Sequence, residues 1–422
     1  MSNNQEYIEK PKVNYTSAML SIGILFFIFG FITWINGVLI PFLRIACELT
    51  ETEAYFVTFA FYIAYTVMAI PSGKILKRTG MVSGMRIGLY CMAVGSAVFI
   101  PAAINRSFIL FLAGLFITGT GLTILQIAVN PYVTILGPAE SAAKRISIMG
   151  LCNKFAGILA PLILGSILLG KSNTIVANIA TVSASHKIQM LDDLGKSIII
   201  PYVIITVALL LLGYLLKYVS LPQIDEEETN RSSAIIAKKY TGQITAGFVA
   251  VFCAVGVEVM AGDTISNYGL YHGFSLSMAK NLTSYTLSGM LIGYLLGIIL
   301  TPKYLKQELS FLISAVSGAF ITVLIIILPK EISVFLLAAL GVVNALLWPA
   351  IWPTALKGLS VLQIKRASAI LIMGIAGGAI VPLAYGYLLH FANNQLSYII
   401  LLPCYLYLIA YSVNNHFIKP NK

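Results

Sequence analysis

Charge is what this sequence has least of. Its 422 residues include 27 Lys and Arg and 16 Asp and Glu, 10% in all, against 58% hydrophobic residues. A water-soluble chain carries about a quarter charged residues, so this one has too few to give itself a polar skin. The same shortage excludes disorder, which needs high charge and few apolar groups. Cysteine is scarce as well. Cys47, Cys91, Cys152, Cys253 and Cys404 stand far apart with no Cys-x-x-Cys pair, which argues against a metal knuckle or a disulfide framework. The four histidines, His186, His272, His390 and His416, fall at the ends of apolar runs or between them. No Walker loop, His-Glu-x-x-His or Gly-x-Ser-x-Gly motif occurs, so ATP-driven transport and intramembrane hydrolysis lack support. The chain is therefore not expected to be an enzyme or to carry a cofactor. Its net charge of +11 is spread without a basic helix or stripe, so nucleic acid is not an expected partner.

What the sequence has in quantity is long apolar runs. Twelve are long enough to cross a bilayer as helices, centred near residues 31, 65, 92, 122, 157, 208, 257, 291, 318, 346, 377 and 406. The first sixteen residues are polar and mixed in charge, unlike the basic-then-apolar layout of a cleaved signal. The expected organisation is a tail over 1–16, six helices over 17–219, a charged linker over 220–242, six more helices over 243–417, and a tail over 418–422. Nineteen of the Lys and Arg residues fall at the termini and in even-numbered connections, and seven in odd-numbered ones. The positive-inside rule then puts both termini in the cytoplasm.

The halves repeat. Lys144-Arg145, Ser147, Gly157, Pro161 and Leu162 recur as Lys365-Arg366, Ser368, Gly378, Pro382 and Leu383, at a constant offset of 221. Six runs separate the copies, an even number, so the repeat is parallel. This plan resembles that of the major facilitator transporters, whose two six-helix bundles enclose a site at mid-membrane.

Three charges sit at membrane depth: Lys154 in the fifth run, and Glu258 and Asp263 in the seventh. Lys154 follows Arg145 by nine residues, about 13 Å along a helix, near the middle of a bilayer about 30 Å thick. An ionisable group there is a functional expectation by default. The three sum to a charge of −1, which one monovalent cation neutralises. Glu258 or Asp263 is thus expected to bind H+ or Na+, with Lys154 partnering the other acid. On a regular helix the two acids point about 140° apart, and Gly262 between them is expected to allow a local break.

Lone amides and aromatics complete the set. Gln126 and Asn130 share one face of the fourth run at i, i+4 spacing. Pro131 follows and leaves the Ile127 carbonyl free of its helical donor. Asn36, Asn153 and Asn344 are further amides in apolar runs. Amides donate and accept, which suits sugar hydroxyls; interhelical hydrogen bonding is the other reading. Trp34, Trp348 and Trp352 lie too deep for a headgroup belt, and with Tyr285 they are expected to offer aromatic faces to a pyranose ring, with core packing as the alternative.

Several stretches resemble a known family. Phe29-Gly30-Phe31-Ile32-Thr33-Trp34-Ile35-Asn36-Gly37-Val38-Leu39-Ile40-Pro41 and Phe61-Tyr62-Ile63-Ala64-Tyr65 are similar to the fucose–proton symporter family. Gly121-Leu122-Thr123-Ile124-Leu125-Gln126-Ile127-Ala128-Val129-Asn130-Pro131, running on through Tyr132-Val133-Thr134-Ile135-Leu136-Gly137-Pro138, is the most specific match. The nearest branch resembles the bacterial glucose/galactose transporters, and Asn153 matches the family's fifth-helix asparagine. The resemblance implies a monomeric secondary active transporter in a bacterial inner membrane, importing a hexose by alternating access with Na+ or H+. A fucose or N-acetylglucosamine symporter and an uncoupled uniporter are the alternatives. The departures are Gly37 and Gln126, where proton-coupled members carry acids. Gln126 is what sodium-coupled glucose members show. The resemblance therefore leaves the coupling acids to be found elsewhere in the chain.

Overall fold

The computed structural model describes residues 15–135, 142–169, 183–218, 238–300, 304–359 and 361–414. Residues 1–14 of the expected N-terminal tail, the tail 418–422, and residues 220–237 of the expected linker lie outside these; Tyr15 and Thr16, expected in the tail, already belong to the first helix. Among the described residues, twelve helical spans are long and apolar enough to cross a membrane. Spans 1 to 6 are Ala18–Ala46, Glu51–Thr79, Met81–Ile104, Phe108–Asn130, Ile148–Leu168 and Ser185–Tyr218. Spans 7 to 12 are Tyr240–Asp263, Leu276–Leu300, Glu308–Ile327, Lys330–Leu356, Ala367–Leu388 and Leu396–Val413. The helix of span 7 starts at Lys238, inside the expected linker.

Connections are short because the turns are built for it. Gly80 takes φ +76° between spans 2 and 3, a left-handed geometry that a glycine adopts without penalty. Thr50 and Glu53 form a reciprocal capping box that starts span 2. The expected long connection 171–196 is partly helical. Ala184–Lys196 forms an amphipathic helix that makes up the first part of span 6, followed after a turn at 197–198 by the apolar helix Ile199–Leu215. Lys187 pairs with Glu48 at 2.6 Å, and Arg106 with Asp192 at 3.2 Å, which ties this helix to the connections after spans 1 and 3.

Several spans are interrupted, among them spans 1, 10 and 11. Span 1 divides at Ile35 into Tyr15–Trp34 and Asn36–Ala46. Span 10 divides after Asn344, and its second helix is Leu347–Leu356; Pro349 has no N–H to offer the Ala345 carbonyl, so the ladder fails at that point. Span 11 passes through a 3-10 turn at Gly374–Ala376.

The halves touch along spans 2 and 11 and along spans 5 and 8. The Thr66 hydroxyl donates to the Met373 carbonyl at 2.9 Å, and the Ser284 hydroxyl to the Ile158 carbonyl at 2.9 Å. They also meet at the end of the bundle that carries the connections after spans 1, 7 and 11. Arg44 donates to Asn267 at 2.7 Å and pairs with Glu51 at 2.9 Å. Asn267 donates to the Tyr55 hydroxyl at 3.2 Å, and the Thr52 hydroxyl donates to the Gly386 carbonyl at 2.8 Å. At this end the bundle is closed.

Candidate functional site

The three interior charges converge between the halves, and the ion pair is resolved. Lys154 Nζ lies 2.5 Å from Glu258 Oε1, with side chains only 7% and 14% exposed. The pair joins span 5 of one half to span 7 of the other. The Lys154 ammonium also sits 4.4 Å from the centre of the Trp34 ring, well inside the range of a cation–π contact.

Asp263 is fully buried, and neither carboxylate oxygen has a hydrogen-bond partner among the described residues. It lies within electrostatic reach of both Glu258 and Lys154. Holding an unpaired carboxylate out of water costs several kcal/mol, so this arrangement implies something that neutralises it. The expected helix break between the two acids is absent. The helix Lys238–Asp263 runs through Gly262 without interruption, and the chain bends only at Thr264. The carbonyls of this last turn are held by neighbours: Thr283 donates to Gly262 at 2.8 Å and Thr286 to Ala261 at 3.0 Å. Threonines of span 8 therefore support the turn that presents Asp263.

Gly262 has a different task. A Cβ there would collide with the Trp34 indole, and a Cβ on Gly157 of span 5 would lie 2.5 Å from Trp34 Cδ1. Trp34 is 2% exposed and packs among Leu287, Met290, Tyr294 and Ala345. It presents no open ring face to a sugar in this conformation.

The amides divide into committed and uncommitted groups. Asn344 is committed: its amide donates to the Val257 carbonyl at 3.3 Å, and its oxygen accepts from the Tyr405 hydroxyl at 2.7 Å. These bonds tie spans 7, 10 and 12 together, so for Asn344 the interhelical reading holds. Gln126 donates to the Tyr65 hydroxyl at 2.9 Å. Asn36 is buried with both ends of its amide unpartnered among the described residues, and the Asn153 nitrogen is likewise without an acceptor. Asn130 is half-buried on the same helix as Gln126. Trp348 and Trp352 are half-buried, with ring centres 5.4 Å apart. Tyr285 stands about half exposed on span 8, with no contact to the charged trio.

Two buried hydroxyls escaped the reading of the sequence. Thr58 and Tyr62 lie one turn apart on span 2, and neither has a partner among the described residues. Tyr62 is close enough to feel the charges of Asp263 and Glu258, and its ring stacks on that of Tyr65 at 6.2 Å. Their i, i+4 spacing was the available signal, but hydroxyls are common in membrane helices and gave no contrast. Among the described residues no group of three or more His, Cys, Asp and Glu side chains is placed to hold a metal ion.

The model of the Major Facilitator Superfamily matches residues 22–395. The chain belongs to the Major Facilitator Superfamily. Within that superfamily it is similar to a glucose/galactose transporter of Brucella abortus biovar 1 (strain 9-941), 30% identical over 417 residues and spanning 98% of this chain and 97% of that one. It is also similar to the L-fucose-proton symporter of Escherichia coli (strain K12), 26% identical over 379 residues, 88% and 86% of the two chains. Among solved structures, the major facilitator transporter FucP in the outward conformation superposes with a TM-score of 0.72 at 24% identity, covering 95% of this chain and 99% of that one. A D-xylose-proton symporter superposes with a TM-score of 0.66 at 15% identity, covering 96% and 98%. These two likenesses carry the fold alone. The all-α transporter architecture expected from the repeat is thereby established for this major facilitator protein.

Proposed function

We propose that this chain is a secondary active sugar importer of a bacterial inner membrane, moving a hexose of the glucose/galactose type together with one monovalent cation. The observation that carries the reading is the unpaired, fully buried Asp263 beside a Lys154–Glu258 pair that joins the two halves. Lys154 is spent on Glu258, so Asp263 is the acid left to take the cation. The sugar is assigned to Asn36, Gln126, Asn130 and Asn153, with Trp348 and Trp352 as its aromatic wall. The names of the relatives support a sugar as substrate. With both termini cytoplasmic, the joined end of the bundle faces outward, and the conformation described is the one closed to the outside. Cation and sugar enter from outside in the opposite conformation, closure follows, and their affinities are reciprocally linked.

The test is transport by purified protein in proteoliposomes. Counterflow with labelled glucose, galactose, fucose and N-acetylglucosamine reads the sugar; imposed Na+ or proton gradients read the coupling. Counterflow of at least one hexose and its uphill accumulation under one gradient are expected. Asp263→Asn is expected to keep counterflow and lose accumulation. Full accumulation by that variant would remove Asp263 from the coupling role, and counterflow without accumulation in the wild type would leave a uniporter.

A further inference from the structure

Trp34 occupies a position that a sugar platform does not need. Its indole is wedged between Gly157 on its own half and Gly262 on the other, where either glycine's missing Cβ makes the room. Gly262 adjoins Asp263 in the chain and lies one turn after Glu258. The face of the ring lies under the Lys154 ammonium, 4.4 Å from the ring centre. Lysine is a compact charge on a long flexible stem, and two acids of span 7 lie within its electrostatic range, Glu258 in contact and Asp263 beyond it. Something must decide between them, because an ammonium that moved to Asp263 would neutralise the acid left for the cation. The rigid object at that junction is the indole.

We propose that Trp34 is a positioning residue for ion coupling: by capping the Lys154 ammonium it holds Lys154 on Glu258 and keeps Asp263 free for the cation. This rests on the reading of Asp263 as the cation-binding acid. The aromatic ring supplies the attraction, its negative face toward the charge, and the two glycines supply its address. Trp34 touches neither sugar nor ion; it acts through Lys154. Removing the ring allows Lys154 to serve both acids, and the protein becomes a facilitator that exchanges sugar without concentrating it. The indole is thus assigned to coupling, and sugar recognition is left to the amides and to Trp348 and Trp352.

The test compares Trp34→Leu, Trp34→Phe and Gly262→Ala in proteoliposomes, each variant first checked for a monodisperse peak in detergent. Counterflow reads sugar exchange, and gradient-driven uptake reads coupling. Trp34→Leu is expected to lose uphill accumulation while exchange persists. Trp34→Phe keeps a ring over the ammonium and is expected to recover much of the accumulation. Gly262→Ala leaves the tryptophan intact but expels it from its seat, and is expected to behave as Trp34→Leu does; it carries the test if Trp34→Leu fails to fold. Wild-type accumulation in Trp34→Leu and Gly262→Ala would overturn the proposal. So would a parallel loss of exchange and accumulation in well-folded Trp34→Leu, which would return the indole to the sugar. Absence of any sugar exchange in the wild type would instead reject the functional reading.

Discussion

At the closed end of the bundle the halves meet through Arg44 and Tyr55 on Asn267, and Arg44 is anchored there by an ion pair with Glu51 of its own half, with side chains 30% and 28% exposed. At mid-depth they meet through Lys154 and Glu258, with most of both side chains out of reach of water. The distances are similar, but the energetics are not. An ion pair with access to solvent contributes about 0–1 kcal/mol and weakens with salt. A buried pair gains more attraction but must offset the loss of hydration, so its partners depend on each other far more than the pair adds to stability. The ion pair at the closed end is one that can be broken at small cost. The mid-depth seam is built so that neither charge can be left alone.

The comparison is most strongly tested by removing one partner at mid-depth. Glu258→Gln strands the Lys154 charge and is expected to destabilise the purified protein by about 3–5 kcal/mol, with Lys154→Met/Glu258→Gln recovering most of it; thermal unfolding in detergent reads both. If the single variant unfolds as the wild type does, the mid-depth seam resembles the closed end after all. Tyr405→Phe takes the donor from the buried oxygen of Asn344 and is expected to cost about 1–3 kcal/mol by the same assay. Glu51→Gln at the closed end removes only the charge of the partly exposed pair and is expected to cost under about 1 kcal/mol, a difference that high salt erases. An effect of several kcal/mol, or one indifferent to salt, would make the closed end a true lock.

The smallest effect is expected outside the membrane. The hydrogen bond from Lys187 holds the Glu48 carboxyl below its ordinary range against desolvation by burial, with the Lys187 and Arg106 charges adding to the lowering. A depressed carboxylate pKa stabilises the folded state above its unfolded value, and that contribution is lost as pH falls through the folded one. Acidification through that window is therefore expected to loosen the helix Ala184–Lys196, seen as faster hydrogen exchange over those residues. Unchanged exchange there would show that Glu48 does not hold the helix.

Hydropathy alone made the twelve spans legible, and depth alone singled out Lys154, Glu258 and Asp263, because a charge inside an apolar run has nothing else to resemble. The pairing was not legible. It depends on how spans 5 and 7 are rotated against each other, which no local pattern records. Gly262 illustrates the limit: a glycine between two acids suggests a broken helix, yet the ladder runs through it and the missing side chain makes room for the Trp34 indole of the other half. Asn344 looked like any lone amide until Tyr405 and Val257 were placed around it. Thr58 and Tyr62 carry no charge and break no periodicity, so only their unmatched hydroxyls give them away.

The interruptions in spans 1, 10 and 11 have a mechanical consequence. A helix bends most readily where its hydrogen-bond ladder is already broken. The joint of span 1 lies between Trp34 and Asn36, that of span 10 directly after Asn344, and that of span 11 just before Gly378, which packs on Tyr62. Beyond the first two joints extend arms of eleven and ten residues, Asn36–Ala46 and Leu347–Leu356. If the proposed site is occupied as expected, a change of occupancy there would act at the fulcrum, where a small displacement of one turn becomes a large swing at the arm's far end.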